Sequence, residues 1–214
     1  MAKATKEAQE TKEIRRYIKL TFIEPVLGTW PSNENVARDF IASKAPDAST
    51  IEDEVAAVGV DAVADKAMTI FPRVDGKPVF YDYQIKGFFK DTCSALARAK
   101  YTKSSTLKAY KKVIDGMIFP FPRTIPIDIN GEIGECQRPL RAQTAQGERV
   151  SLANSEEIPA KSTIKFGVTL ADPAHEALLK EWLDNGFFRG LGQWRNSGKG
   201  RFVYKMLDEE GNNL

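Results

Sequence analysis

Four glycines, three cations and a tryptophan fall within the thirteen residues Gly190-Leu-Gly192-Gln-Trp194-Arg195-Asn-Ser-Gly198-Lys199-Gly200-Arg201-Phe202. Glycine admits positive φ and lets another chain come close to its N–H groups, which a phosphate-binding loop requires. Arg195, Lys199 and Arg201 supply positive charge, and Trp194 offers a face on which a base can stack. Between Gly186 and Met206 there are five Lys or Arg and no Asp or Glu, so the segment is a local basic patch. The plain alternative is a glycine-rich connection whose tryptophan covers the core.

That patch sits in a nearly neutral chain. A formal net charge of +2 over 214 residues gives no bulk attraction for a polyanion, so affinity must come from how charge is distributed. The distribution is uneven: Ile51 to Asp65 carries Glu52, Asp53, Glu54, Asp61 and Asp65 without a cation, whereas Lys86 to Lys112 carries eight cations against Asp91 alone. The two cysteines, Cys93 and Cys136, have no neighbours at metal-ligand spacing, which argues against structural zinc and against a disulfide framework. No apolar run reaches the ~20 residues of a membrane span, and the first residues lack a signal-peptide core, so a reducing cytoplasm is the expected location.

The elements that must position the patch follow from periodicity. Arg16 to Ile23 alternates as a half-buried strand, with Ile18, Leu20 and Phe22 on one side. Residues 35–45 and 50–68 read as a helical insertion. Asp75-Gly76-Lys77-Pro78 is a turn leading to Val79–Tyr81, and Gln84 to Lys100 has the spacing of a helix. Val113 to Phe119 reads as a strand, and the prolines and glycines that follow it read as hairpins standing off the core. Ser162 to Leu170 alternates again. Asp172-Pro173 supplies a cap and first position for a helix that Gly186 ends, and Arg201 to Leu207 is the last strand. The expected class is α+β: a ferredoxin-like, RRM-like βαββαβ core over residues 16–207, with tails at 1–15 and 208–214. A helical insertion at about 30–75 follows the first strand, and a β-hairpin arm within about 120–160 separates the second and third.

The spacing Gly190-x-Gly192, five residues, Gly198-x-Gly200, placed between the second helix and the last strand, resembles the glycine-rich loop of the RAMP superfamily, the RNA-binding proteins of CRISPR systems. Gln84-Ile-Lys86-Gly87-Phe-Phe-Lys90 is similar to the Ser-Leu-Lys-Gly-x-x-Arg segment that opens the first helix of the subunits forming the backbone of CRISPR effector complexes. Gln84 stands in place of the serine and Lys90 in place of the arginine. The resemblance implies that the loop and its cations grip RNA phosphates, and that a hairpin arm, here Glu135 to Val150 with Arg138, Arg141 and Arg149, wedges between nucleotides. It also implies self-association or association with other CRISPR-type subunits, in a prokaryotic cytoplasm or that of a virus-infected prokaryotic cell. Ordinary surface arginines on a solvated hairpin are the equal alternative for the arm.

Catalysis has one weak candidate. His175, the chain's single histidine, lies where the helix dipole disfavours its protonation, and the sequence offers it no partner. Tyr17, Tyr81, Tyr83 and Tyr204 are candidates only in principle. Target-cleaving relatives carry an aspartate after the first strand, whereas Leu27 to Asn35 contains Asn33 and Glu34 but no aspartate. Neither a nucleotide-binding Gly-Lys-Thr loop nor a metal-ligand set is recognisable, so no cofactor is expected. The sequence therefore points to a noncatalytic single-stranded RNA-binding protein. Its contact residues are Lys86, Lys90, Arg138, Arg141, Gly190, Gly192, Trp194, Arg195, Gly198, Lys199, Gly200 and Arg201. The alternatives are a metal-independent endoribonuclease, an inhibitor that copies a CRISPR subunit, and a single-stranded DNA-binding protein.

Overall fold

A computed structural model describes residues 13–32, 68–144 and 147–208. The expected helical insertion at residues 35–68 lies almost wholly outside them. Within them the chain is α+β, with two antiparallel-dominated sheets and three helices.

The main sheet has seven strands, which we number along the chain: β1 (Ile14–Phe22), β5 (Arg73–Val74), β6 (Lys77–Tyr81), β7 (Ile118–Phe121), β8 (Thr124–Asp128), β11 (Thr163–Leu170) and β12 (Phe202–Leu207). They run in the order β12-β1-β11-β8-β6-β5, and β7 also pairs with β11. Ile18, Leu20 and Phe22 of β1 face the core, as their alternation requires. They meet Ile164, Phe166 and Val168 of β11 and Phe202 and Met206 of β12 on the same side. Helices α1 (Asp82–Leu96), α2 (Tyr110–Met117) and α3 (Glu176–Arg189) supply the rest of the core through Ile85, Phe88, Phe89, Ile114, Leu179, Trp182 and Leu183.

The smaller sheet comprises β2 (Val26–Leu27), β3 (Trp30–Pro31), β4 (Thr69–Ile70), β9 (Gly134–Thr144) and β10 (Gly147–Ile158). Its long hairpin, β9–β10, occupies the position of the expected arm. The hairpin does not stand free at its base, because Glu157 and Ile158 pair with Leu27 and Val26, and Ser155 pairs with Thr69.

Three element assignments change. The segment expected as a strand over Val113–Phe119 is helical through Met117, and the strand begins at Ile118. Tyr110, Val113, Ile114 and Met117 recur at helical steps, but the β-branched pair at 113 and 114 reads locally as a strand. Residues 118–128, assigned at sequence level partly to the arm, belong to the main sheet instead. The last helix opens with a 3-10 turn at Pro173–His175, capped by Asp172, whose Oδ1 accepts from the Ala174 N–H at 2.8 Å, and it runs past Gly186 to Arg189. Gly186 is not a terminator. A Cβ there would enter the ring of Phe202, so glycine is what lets α3 lie on β12.

Candidate nucleic-acid interface

The glycine-rich loop is shaped by its glycines in the way their spacing implies. Gly190, Gly192, Gly198 and Gly200 have φ of +73, +82, +91 and +72°. Gly190 caps α3, and Leu191 tucks inward as its N–H donates to the Gly200 carbonyl at 2.9 Å. Gly200 in turn donates to the Pro25 carbonyl at 2.8 Å. A Cβ at Gly192 would lie 2.7 Å from the Leu27 carbonyl oxygen. The loop is thus pinned to the chain segment that leaves β1. Trp194 takes the left-handed conformation at φ +53° and is 42% exposed, so it lies outside the core.

The loop's cations serve in part as struts. Arg195 Nη1 lies 2.8 Å from Asp91 Oδ2 on α1, which also meets Arg189 Nε at 2.9 Å, and Lys199 Nζ lies 2.6 Å from Glu157 Oε2 on β10. Arg201 packs its guanidinium against Gly198, and its buried Nε has no hydrogen-bond partner among the described residues. Partial burial pushes the Asp91 carboxyl up, but hydrogen bonds and charge from Arg189 and Arg195 outweigh it and hold the group below its ordinary value. A carboxyl lowered in the folded state stabilises above its unfolded pKa, and that contribution disappears as pH falls through the lowered value. Asp91→Asn is therefore expected to cost under about 1 kcal/mol at neutral pH, as for partly exposed pairs. In thermal melts the gap from wild type closes below about pH 4.

The hairpin base joins the loop through Arg138. This side chain is only 6% exposed, yet among the described residues it has no carboxylate partner. Its Nη1 donates to Ser155 Oγ at 2.9 Å, its Nη2 donates to Gln193 Oε1 at 2.7 Å, and its Cζ lies 5.5 Å from the Trp194 ring centroid. Arg141 stands opposite Val150 further along the hairpin.

The two sequence segments expected to act together do meet, through one face of α1. Gln84, Gly87 and Asp91 line a cleft of about 320 Å³ with Gly192 and Arg195 of the loop and Thr29 after β2. A Cβ at Gly87 would touch nothing within 4 Å, so this position faces open space. Lys86 and Lys90, one turn apart, face elsewhere. Lys90 Nζ pairs with Asp115 of α2 at 2.6 Å, and Lys86 lies 5.1 Å from the Phe119 ring and donates to the Asp115 carbonyl. The helical period that brings Gly87 to the cleft turns its two lysines away.

The structure also adds Thr29 and Arg123, which sequence reading missed, and places Tyr81 and Tyr83 beside the arginine. At the mouth of the cleft Gln84 donates to Thr29 Oγ1 at 2.8 Å and accepts from the Tyr81 N–H at 2.7 Å. Tyr81 and Tyr83 stack at 5.4 Å and 13°, and Arg123 Cζ lies 5.9 and 5.4 Å from their centroids. A cation on the outer face of either ring would lie about 7 Å or more, two ring thicknesses, from the other. Arg123 therefore flanks the stack, and Tyr83 remains 44% exposed. Alternate aromatic positions, 81 and 83, were the available signal.

Among the described residues the His175 ring has no hydrogen-bond partner for acid–base work. His175 lies in the 3-10 turn before α3, with Nδ1 buried and without a hydrogen bond among the described residues. The Tyr204 hydroxyl donates to Asp184 at 3.0 Å, and burial followed by that carboxylate pushes its pKa up to about 12, too high for a base near neutrality. No group of three or more potential metal ligands is present among the described residues, nor a helix long and apolar enough to cross a membrane.

No protein-family model matches the sequence, and no curated protein matches it. Solved structures do match. A chain of the "Type III-B Cmr-beta bound to cognate target RNA" superposes with a TM-score of 0.51 and 11% identity over 92% of this protein. This chain shares the fold of that Type III-B Cmr-beta subunit. It spans 60% of that subunit's length, and the likeness at this identity is one of fold. A chain of the "Type IV-B CRISPR Complex" matches at TM-score 0.45 and 11% identity, covering 92% of this protein and 91% of its own length.

Proposed function

We propose that this protein is a noncatalytic single-stranded RNA-binding subunit of a CRISPR-type ribonucleoprotein. The observation that carries the reading is Trp194: a large ring at the tip of a glycine-shaped basic loop, part exposed, with the Arg138 guanidinium against it. An arginine that stacks on one side of an indole leaves the rest of the ring for a base, and base–aromatic stacking is tolerant of sequence. The neighbour order β12-β1-β11-β8 supports a ferredoxin-like core, with the loop between its second helix and last strand. Arg195, Lys199 and Arg201 share the loop with the tryptophan, and Gln84, which lines the cleft with Gly192 and Arg195, accepts from the N–H of Tyr81, whose ring stacks on Tyr83; a strand following these groups would run along α1. Other copies of the chain or other CRISPR-type subunits are its expected protein partners.

Fluorescence anisotropy with a labelled oligoribonucleotide tests this. Trp194→Ala is expected to lose roughly 1–3 kcal/mol of binding. Equal affinity of the variant and wild type rejects the loop as the site. The same oligonucleotide as DNA reports whether a 2′-hydroxyl contributes. Incubation of repeat RNA with wild type and His175→Ala is expected to leave it intact in both, whereas cleavage by wild type alone favours an endoribonuclease.

A further inference from the structure

The strand register places three lysines in a row. Lys19 of β1 is the direct partner of Lys165 on β11 and of Lys205 on β12, so one line across three adjacent strands is Lys205-Lys19-Lys165. All three belong to the face of the main sheet opposite the helices, since Ile18, Leu20, Ile164, Phe166 and Met206, which alternate with them, are buried in the core. Directly opposed residues in antiparallel strands have Cβ atoms about 4.5–5.5 Å apart, and like charges there repel. Two carboxylates border the row: Asp208 lines a hollow with Lys165, and Asp128 stands opposite Thr163, two residues from Lys165. A sheet that sets three ammonium groups side by side keeps an excess of positive charge over these two carboxylates, and that excess has its natural complement in a polyanion.

The next line of residues says which polyanion. Tyr17 is opposite both Gly167 and Leu207, and Phe121 is opposite Gly167. The Tyr17 and Phe121 rings meet edge to face at 5.8 Å and 88°, and the Phe121 ring fills the space where a side chain at 167 would stand. Together with Lys165, Leu207 and Asp208 they line a hollow of about 300 Å³ beside the lysine row. Lys165 also borders a second hollow of about 530 Å³ that includes Lys77 and Asp128. An acidic polypeptide satisfies the lysines and leaves the rings unused, whereas a single nucleic-acid strand uses both: phosphates on the row and a base against the rings.

We infer that the open face of the main sheet, centred on Lys19, Lys165 and Lys205 with Tyr17 and Phe121, is a second contact surface for a single nucleic-acid strand, separate from the glycine loop. It rests on the reading that the chain holds such a strand. The test is anisotropy of labelled oligouridylate across a range of KCl concentrations. Lys19→Gln, Lys165→Gln and Lys205→Gln combined are expected to lower the log–log salt slope by about 2, from ~0.7 for each lost phosphate contact. Lys19→Gln alone lowers it by about 0.7, and the three lysines exchanged for arginine retain it. The melting temperature of the free triple variant does not fall, because repulsion has been removed.

An unchanged slope in the triple and single variants overturns the inference. If Trp194→Ala still weakens binding in that case, the loop reading survives alone. A weakened triple variant beside an unaffected Trp194→Ala keeps the sheet surface and rejects the loop. No binding of oligouridylate by wild type overturns both. Polyglutamate binding that is lost in the triple variant, with the oligouridylate slope unmoved, assigns the face to an acidic protein and also overturns the inference.

Discussion

Gly200→Ala is expected to destabilise the protein by roughly 2–5 kcal/mol and to abolish strand binding with it. Two costs add. At φ +72° any residue with a Cβ pays about 1–2 kcal/mol for the left-handed conformation. The added methyl would also overlap the Leu191 carbonyl, and forcing extra atoms into a packed site costs about 1–3 kcal/mol more. Neither group can retreat, because Leu191 donates to the Gly200 carbonyl and Gly200 donates to Pro25. Gly76 is the control: its φ of +76° is nearly the same, but a Cβ there would meet nothing within 4 Å. Gly76→Ala is therefore expected to show the conformational cost alone. The difference between the two variants in urea titrations measures the close approach of loop strands, and equal losses would show that φ alone dictates the glycine.

The pairing of Arg195 with Asp91 and of Lys199 with Glu157 does not remove these cations from binding. Ion pairs with partly exposed side chains are worth about 0–1 kcal/mol, so under the proposed function an arriving phosphate would displace a carboxylate at small cost. Until then the pairs hold the loop against α1 and β10 in the conformation that presents Trp194. Arg138 differs. It is buried, and among the described residues it is bonded only to neutral oxygens beside the indole. The loop therefore combines two ion-paired cations with one that has no carboxylate partner among the described residues, an arrangement that would favour a polyanion, under the proposed function, without a high net charge.

The loop was legible because glycine at four close positions has few meanings besides positive φ and close backbone approach, and both occur. The strands β1 and β11 were legible because their alternation is strict. Lys86 and Lys90 were placed by resemblance rather than by helical phase, and phase decides: Gln84, Gly87 and Asp91 share the cleft face, and the lysines do not. Asp91 reads as an isolated acid in a basic stretch, because its partners are 98 and 104 residues away. The lysine row is equally silent in sequence. Lys19, Lys165 and Lys205 become neighbours only through strand register, which no local pattern encodes. Arg138 reads as a solvated hairpin arginine because nothing near it in sequence announces that β10 and the loop will close over it.

The second large effect lies beneath the site. Trp182→Ala is expected to destabilise the fold by about 3–5 kcal/mol, a large part of the ~5–15 kcal/mol that holds a domain together. Trp182 is fully buried on α3, its ring 5.6 Å from Phe89 of α1, and its Nε1 donates to Ser104 Oγ at 2.9 Å. Ser104 is itself fastened by Glu181, whose carboxylate accepts from the Ser104 hydroxyl and from the N–H groups of Lys103 and Ser104. One side chain therefore sets the spacing of the helices that carry Gly87 and Asp91 on one side and Arg189 and Gly190 on the other. Trp182→Phe keeps most of the volume and removes the indole donor, leaving a Ser104 hydroxyl still bonded to Glu181. It is expected to recover most of the stability lost by alanine in urea denaturation, and with it the binding affinity. Recovery of stability without affinity would mean that α1 and α3 must be held to finer tolerance than the core requires, with the indole–serine bond as the part that sets it.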